Sequence, residues 1–146
     1  MEHIRPAERR DLERIAEIAV FNYRLNFYPI FRDDGYYFQE LTVSRQAPRY
    51  APQLEHIWVY DDGVVKGFIQ VEDWQVQKLF VEPVLHGNSI GAKLLEFAVR
   101  EHDAEFLWAL EKNERAIAFY ERHGFHVTAQ RKLEEDTAEY LIRLER

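Results

Sequence analysis

Residues 78–102 constrain this chain more than any other stretch. Leu79, Phe80 and Val81 form an apolar strand, and Pro83 ends it because proline has no N–H to give a sheet ladder. Ile90, Leu94, Leu95 and Ala98 then recur at helical spacing. Between strand and helix, His86-Gly87-Asn88-Ser89-Ile90-Gly91 delivers successive backbone N–H groups to a helix N-terminus. Those orphan donors and the positive end of the helix dipole favour an anion, most naturally a phosphate. Gly87 and Gly91 let the backbone approach such a ligand with no Cβ in the way. Strand, loop and helix in this order predict a phosphate-bearing cofactor held on the main chain.

Three phosphate-binding loops compete for this pattern. A P-loop needs Lys-Ser/Thr after its second glycine, whereas Gly91 is followed by Ala92-Lys93-Leu94. A dinucleotide fingerprint needs three glycines and a carboxylate after the next strand; only Gly87 and Gly91 are present, and Glu111 is a weak match for the carboxylate. The third pattern is strand, Val-x-Pro, then Arg/Gln-x-x-Gly-x-Gly/Ala opening a helix, and it resembles motif A of the GCN5-related N-acetyltransferases (GNAT). Val81-Glu82-Pro83 and His86 to Gly91 fit it with two departures: His86 replaces Arg or Gln, and Ser89 replaces Gly. Downstream, Asn113, Ala116, Tyr120, Gly124 and Phe125 reproduce motif B of the same family, Asn-x-x-Ala-x-x-x-Tyr-x-x-x-Gly-Phe, residue for residue. The resemblance covers about residues 57–140 fully and the first half in outline.

Composition sets the outer limits. A chain of 146 residues is expected to form one domain, residues 1–146, burying roughly two thirds of its unfolded surface. Apolar residues at 47% and aromatics at 14% exclude disorder. No apolar run approaches the ~18 residues of a membrane span, and the N-terminus shows no signal-peptide pattern, so a cytoplasmic protein without membrane contact is expected. The absence of cysteine removes disulfides and thiol nucleophiles. A net charge of −7 argues against nucleic acid, which is bound mainly through Lys and Arg. The same acidity either keeps the protein soluble or steers cationic amines to it. It also means that backbone donors must hold a polyanionic cofactor.

Along the chain, Ile4 opens a short strand closed by Pro6. A helical stripe begins at Asp11 and must stop by Pro29. An aromatic-rich segment spans Phe21 to Tyr37, and a second helix is predicted from about Asp34 to Gln46, ended by Pro48. His56–Tyr60 and Val64–Val71 flank an Asp-Gly turn as a hairpin. Strands follow at Gln75–Val81 and Glu105–Leu110. The motif-B helix ends at Gly124, suited to a left-handed C′ position, and Phe125–Gln130 with Ala138–Leu144 close the sheet as an antiparallel pair. The class is α+β: a mixed, mostly antiparallel sheet flanked by helices. Resemblance adds the GNAT fold, in which the motif-A strand and its successor run parallel and splay apart around the cofactor.

The resemblance implies acetyl-CoA as co-substrate, with the acetyl group passing in a ternary complex to a primary amine of a small molecule or protein. It places the pyrophosphate on Gly87, Asn88, Ser89, Ile90, Gly91 and Ala92. The pantetheine arm lies along the open edge of Leu79, Phe80 and Val81, with a backbone N–H near Val81 polarising the thioester carbonyl. Tyr120 becomes the general acid, since a phenol with pKa near 10 is protonated at neutral pH. Asn113 caps its helix and also touches the cofactor. Ser89 keeps its N–H and suits an N-cap. His86 either adds charge beside the phosphate or is a solvated loop residue.

Glu72 and Asp73, ending the strand before motif A, are either the carboxylate that takes the amine's proton, with Glu72 favoured, or turn residues. Family members that acetylate protein N-termini carry a Glu five residues before the motif-B Asn; here that residue is Trp108. The aromatic cluster of Tyr23, Phe27, Tyr28, Tyr36 and Tyr37 either cages an amine or is core. His123 and His126 are too few for a metal site, and no metal is expected. A monomer or homodimer is expected. The alternatives are a non-catalytic acyl-CoA-binding or sensor module of the same fold, which Tyr120 opposes and the altered loop favours, and an interaction domain using its closing strands.

Overall fold

The computed structural model describes residues 2–146. Among these, seven strands form one sheet: β1 (Ile4–Pro6), β2 (Ile57–Asp61), β3 (Val65–Glu72), β4 (Gln75–Val81), β5 (Phe106–Leu110), β6 (His126–Leu133) and β7 (Tyr140–Glu145). Their order is β1-β2-β3-β4-β5-β7-β6. Every neighbouring pair is antiparallel except β4–β5. Helices α1 (Leu12–Asn26), α2 (Tyr28–Phe31), α3 (Val43–Tyr50), α4 (Ile90–His102) and α5 (Glu114–Arg122) flank it. The predicted α+β class and the single parallel pair are both present. No described helix is long and apolar enough to cross a membrane.

The sheet separates two cores. On one face, Ile15, Ala16, Ile18 and Ala19 of α1 and Tyr50 of α3 pack on Ile57, Val59 and Phe68. On the other, Ile90, Leu94, Leu95 and Ala98 of α4 pack on Ile69, Val81, Leu107 and Ile142. These four α4 positions are the helical stripe of the sequence. Gly67 lets α4 approach closely: a Cβ there would stand 3.1 Å from the Phe80 carbonyl, 3.2 Å from Leu94 and 3.3 Å from Ile90. The helix whose N-terminus bears the glycine loop is thus pinned against β3 and β4.

The first half departs from the periodicity. Instead of one helix over 34–46, a π-helical turn spans Tyr36–Glu40 and α3 starts afresh at Val43. Leu41 breaks the run at φ −83, ψ 78, and its side chain is 2% exposed, buried beside Val20 and Tyr37. Tertiary burial of one residue overrides local spacing here. Nor does Pro48 end the helix: it removes a single N–H, and buried Tyr50 beyond it anchors the last turn.

Candidate active site

β4 and β5 meet only at their starts. The Trp74 carbonyl accepts from the N–H groups of Glu105 (2.7 Å) and Phe106 (3.3 Å), and Gln75 pairs with Phe106. Beyond that point the strands diverge, opening a cleft of about 640 Å³. Its β4 wall has a defined pattern of free main-chain groups. The Glu82 N–H bonds Lys66 O at 2.9 Å, and β3 pairs with β4 in register from Gly67↔Val81 to Gln70↔Lys78. By the alternation of an antiparallel ladder, Lys78 and Phe80 spend their backbone groups on β3, whereas Leu79 and Val81 aim theirs at the cleft. The Val81 carbonyl is already taken, by Asn22 Nδ2 at 2.8 Å and His86 Nε2 at 2.9 Å. What remains for an extended ligand is Leu79 N–H, Leu79 C=O and Val81 N–H. His86 is therefore not free in solvent; it ties the loop to the strand end by donating to that carbonyl.

The loop after β4 folds as a 3₁₀ turn over Pro83–Leu85, with the His86 N–H bonded to Pro83 O and the Asn88 N–H to Leu85 O. The N–H groups of Gly87, Ser89, Ile90, Gly91 and Ala92 have no acceptor among the described residues, and all five residues line the cleft. Asn88, counted with them in the sequence, stands off the cleft wall. Ser89 does not cap α4 as anticipated. It holds the N-cap position in the left-handed region, φ 66, ψ 4, and its side chain makes no cap bond. A capping serine needs an extended backbone to swing Oγ over the first turn; the left-handed geometry turns it away and favours glycine, the residue of the family pattern. A side chain at Gly91 would begin 3.6 Å from the Phe119 ring and 3.7 Å from Val81, so this position has room for little beyond a methyl group.

The opposite wall is α5. Asn113 Oδ1 accepts the Ala116 N–H at 3.3 Å, making it the N-cap, and the residue also lines the cleft. The helix ends in a Schellman motif: the Phe125 N–H reaches Tyr120 O at 3.0 Å across Gly124, whose φ is 93. Phe125 is fully buried, and its ring meets Tyr120 edge-on at 5.9 Å. That contact is the hydrophobic partnership the motif normally carries, and it explains the spacing Tyr-x-x-x-Gly-Phe as a device that locks the Tyr120 backbone. Tyr120 lines the cleft, its hydroxyl bonds no described group, and burial pushes its phenol well above its ordinary value. It stays protonated at any physiological pH.

Glu72 does not line the cleft. It ends β3, accepts from Gln77 Nε2 at 3.4 Å and lies 3.6 Å from His56. Gln77 stands between it and the cleft as the extra residue of a β-bulge, where the register steps from Gln70↔Lys78 to Val71↔Val76. Asp73 is a turn residue: with Trp74 it forms a two-residue hairpin at φ 51 and φ 64. Of the aromatic cluster, Tyr23 and Phe27 reach the cleft, Tyr28 and Tyr37 pack with Leu41, and Tyr36 is exposed with its ring edge-on to Tyr37. No group of His, Asp and Glu among the described residues is arranged to hold a metal.

The sequence reading missed Lys78. Its Nζ lies 3.2 Å from Tyr50 Oη and 4.6 Å from the centre of that ring, on the cleft wall. Burial first, and then Arg49, lowers its pKa. Only the pairing of β4 with the α1–α3 face puts this lysine inward. Glu134, from the β6–β7 connection, reaches the cleft from the other side.

A family model, the GNAT acetyltransferase domain, matches residues 53–127, just over half of the chain. Peptidyl-lysine N-acetyltransferase YiaC of Escherichia coli is 32% identical over 72 residues, 48% of this chain and 49% of that one. The chain spans about half the length of the curated relatives it matches. Among solved structures, apo YjaB of Escherichia coli superposes with a TM-score of 0.74 at 22% identity, covering 97% of this chain and 95% of that one. The PaiA N-acetyltransferase of Thermoplasma acidophilum, solved with coenzyme A, superposes with a TM-score of 0.69 at 18% identity, covering 98% of both chains. The two superpositions establish the fold, and the matched domain establishes the lineage: this chain belongs to the GCN5-related N-acetyltransferase (GNAT) family.

Proposed function

We propose that residues 1–146 act as one N-acetyltransferase domain that moves the acetyl group of acetyl-CoA to a primary amine by direct attack in a ternary complex. The observation that carries this reading is the row of five unpartnered N–H groups, Gly87 and Ser89 to Ala92, at the head of α4 and beside the diverging strands. A polyanion fits there because these donors and the helix dipole supply positive potential that a chain of net charge −7 does not. The arm of the co-substrate fits the three free groups of Leu79 and Val81, in the manner of an added strand. Acetyl-CoA supplies the activated acyl group.

The residues supply position and protons. Leu79 N–H or Val81 N–H donates to the thioester carbonyl and stabilises the charge that builds on its oxygen. The attacking amine loses one proton to solvent water as the C–N bond forms and the C–S bond breaks. Tyr120, held neutral by burial, gives its proton to the departing thiolate and recovers one from solvent. Glu72 enters this reading only through Gln77, a residue of the cleft wall whose Nε2 donates to it at 3.4 Å. Relatives named as peptidyl-lysine acetyltransferases support an amine acceptor. The test is acetyl-CoA titration by calorimetry together with a thiol-release assay against an amine panel. Saturable binding and amine-dependent thiol release support the proposal; binding without release from any amine reduces the protein to an acyl-CoA-binding module, and no binding removes it.

A further inference from the structure

Of the charged side chains on the cleft wall, Arg115 and Arg122 of α5 are exposed, whereas Lys78 and Glu134, of opposite charge, are half-buried. Lys78 and Glu134 take part in no ion pair among the described residues, although most of the protein's buried or half-buried charges do. Lys78 is fixed on β4 by its bond to Tyr50 Oη (3.2 Å) and by the Tyr50 ring beneath it, so two of its three N–H donors are unspent. It stands beside Leu79, whose backbone is free toward the cleft. Glu134 arrives from the far side of β5, out of the connection between β6 and β7, where its own N–H is bonded to Glu139 O at 2.8 Å. A half-buried ammonium without a counter-ion is costly, and the Glu134 carboxylate, which accepts the Glu135 N–H on Oε1 at 3.1 Å, has no cation beside it. A ligand carrying both charges supplies the partner each lacks.

We propose that the acceptor is a free amino acid, its carboxylate held by Lys78 and its ammonium drawn in by Glu134. The inference rests on the acetyltransferase reading and narrows its acceptor. It sets a blocked peptide lysine, which brings a cation and no nearby carboxylate, against the charge of Lys78. Tyr23 and Phe27, which line the same end, shape the space for the side chain.

The experiment measures thiol release from acetyl-CoA with free amino acids, their matched carboxamides and a terminally blocked lysine peptide, alongside acetyl-CoA binding by calorimetry. Expected is a kcat/KM at least about tenfold higher for the best free acid than for its carboxamide, the scale of one lost charged contact. Lys78→Gln should erase that ratio by slowing only the acid, and Lys78→Arg should keep most of it. Glu134→Gln should raise KM for acid and carboxamide alike. Acetyl-CoA affinity should be unchanged in all three variants. The inference is overturned if carboxamides or the peptide react as fast as the acids, if Lys78→Gln slows acid and carboxamide equally, or if acetyl-CoA binds and no free amino acid is acetylated. Failure of acetyl-CoA to bind the unaltered protein overturns the acetyltransferase reading itself.

Discussion

The two ends of the cleft are built on different principles. The end formed by Leu79, Val81 and residues 87–92 offers main-chain donors, positioned by a strand edge, a tight loop and a helix terminus. The end formed by Lys78, Gln77, Tyr23 and Glu134 offers side chains from three separate segments. Main-chain sites depend on conformation and tolerate substitution, which is why Ser89 and His86 can depart from the family pattern while the N–H row survives. Side-chain sites depend on identity, so on the proposed reading that end sets the acceptor. Tyr120 lies between the two, its backbone locked by the Schellman turn at Gly124 and its hydroxyl free.

The contrast is attacked most strongly at Tyr120. Tyr120→Phe is expected to lower kcat by about 10²–10⁴-fold, the usual worth of a general acid, while acetyl-CoA affinity holds because the ring still packs on Phe125. An unchanged kcat with a cognate amine removes the proton donor from the account.

Next in size, Gly91→Val drives a branched side chain into Phe119 and Val81 and displaces the first turn of α4. Wild-type protein should gain about 2.7 kcal/mol of stability at acetyl-CoA 100-fold over Kd, and the variant should gain almost none in a thermal-shift assay. Normal binding by the variant would place the phosphates elsewhere.

Lys78→Met probes the other end and separates binding from stability. Burial lowers the pKa of Lys78, so in the folded state its proton is lost below the unfolded value of about 10.4. The unfolded chain therefore binds more protons between those two points, and the penalty is full at neutral pH and relieved as pH rises toward the unfolded value. The variant should be more stable at pH 7 by about 0.5–2 kcal/mol, the range in which function is traded for stability. Denaturant melts from pH 7 to 10 should show it losing the alkaline gain of the wild type; a destabilised variant would mean the lysine is a packing residue.

The smallest effect belongs to Ser89→Gly, which relieves the left-handed strain of about 1–2 kcal/mol and gives back part of it as chain entropy. A net gain of up to about 1 kcal/mol with retained acetyl-CoA binding is expected from the melting curve. A loss of stability would show that the serine hydroxyl contributes a bond of its own.

What the sequence disclosed follows the same division. Motif B was legible because each residue answers to a local rule: Asn113 caps, Gly124 turns left-handed, Phe125 fills the core and so fixes Tyr120. The α4 stripe and the glycine loop were legible for the same reason. The left-handed backbone of Ser89 was hidden because serine is common at N-caps of ordinary geometry. The break at Leu41 was hidden because it depends on packing against Val20 of α1, far away in the chain. Lys78 was hidden behind its apolar neighbours, since its inward aim follows from the bulge at Gln77 and from Tyr50 of α3, neither readable in local spacing. Glu72 was legible as the end of a strand, and its separation from the cleft by Gln77 comes from that same bulge.

The claim that the cofactor end is a main-chain site is tested most directly by amide chemical shifts of ¹⁵N-labelled protein during acetyl-CoA titration. The largest changes are expected at the N–H groups of Leu79, Val81, Gly87 and Ser89 to Ala92, with small changes at β1 and β6. Perturbations centred on other segments, or none at saturating acetyl-CoA, would contradict it.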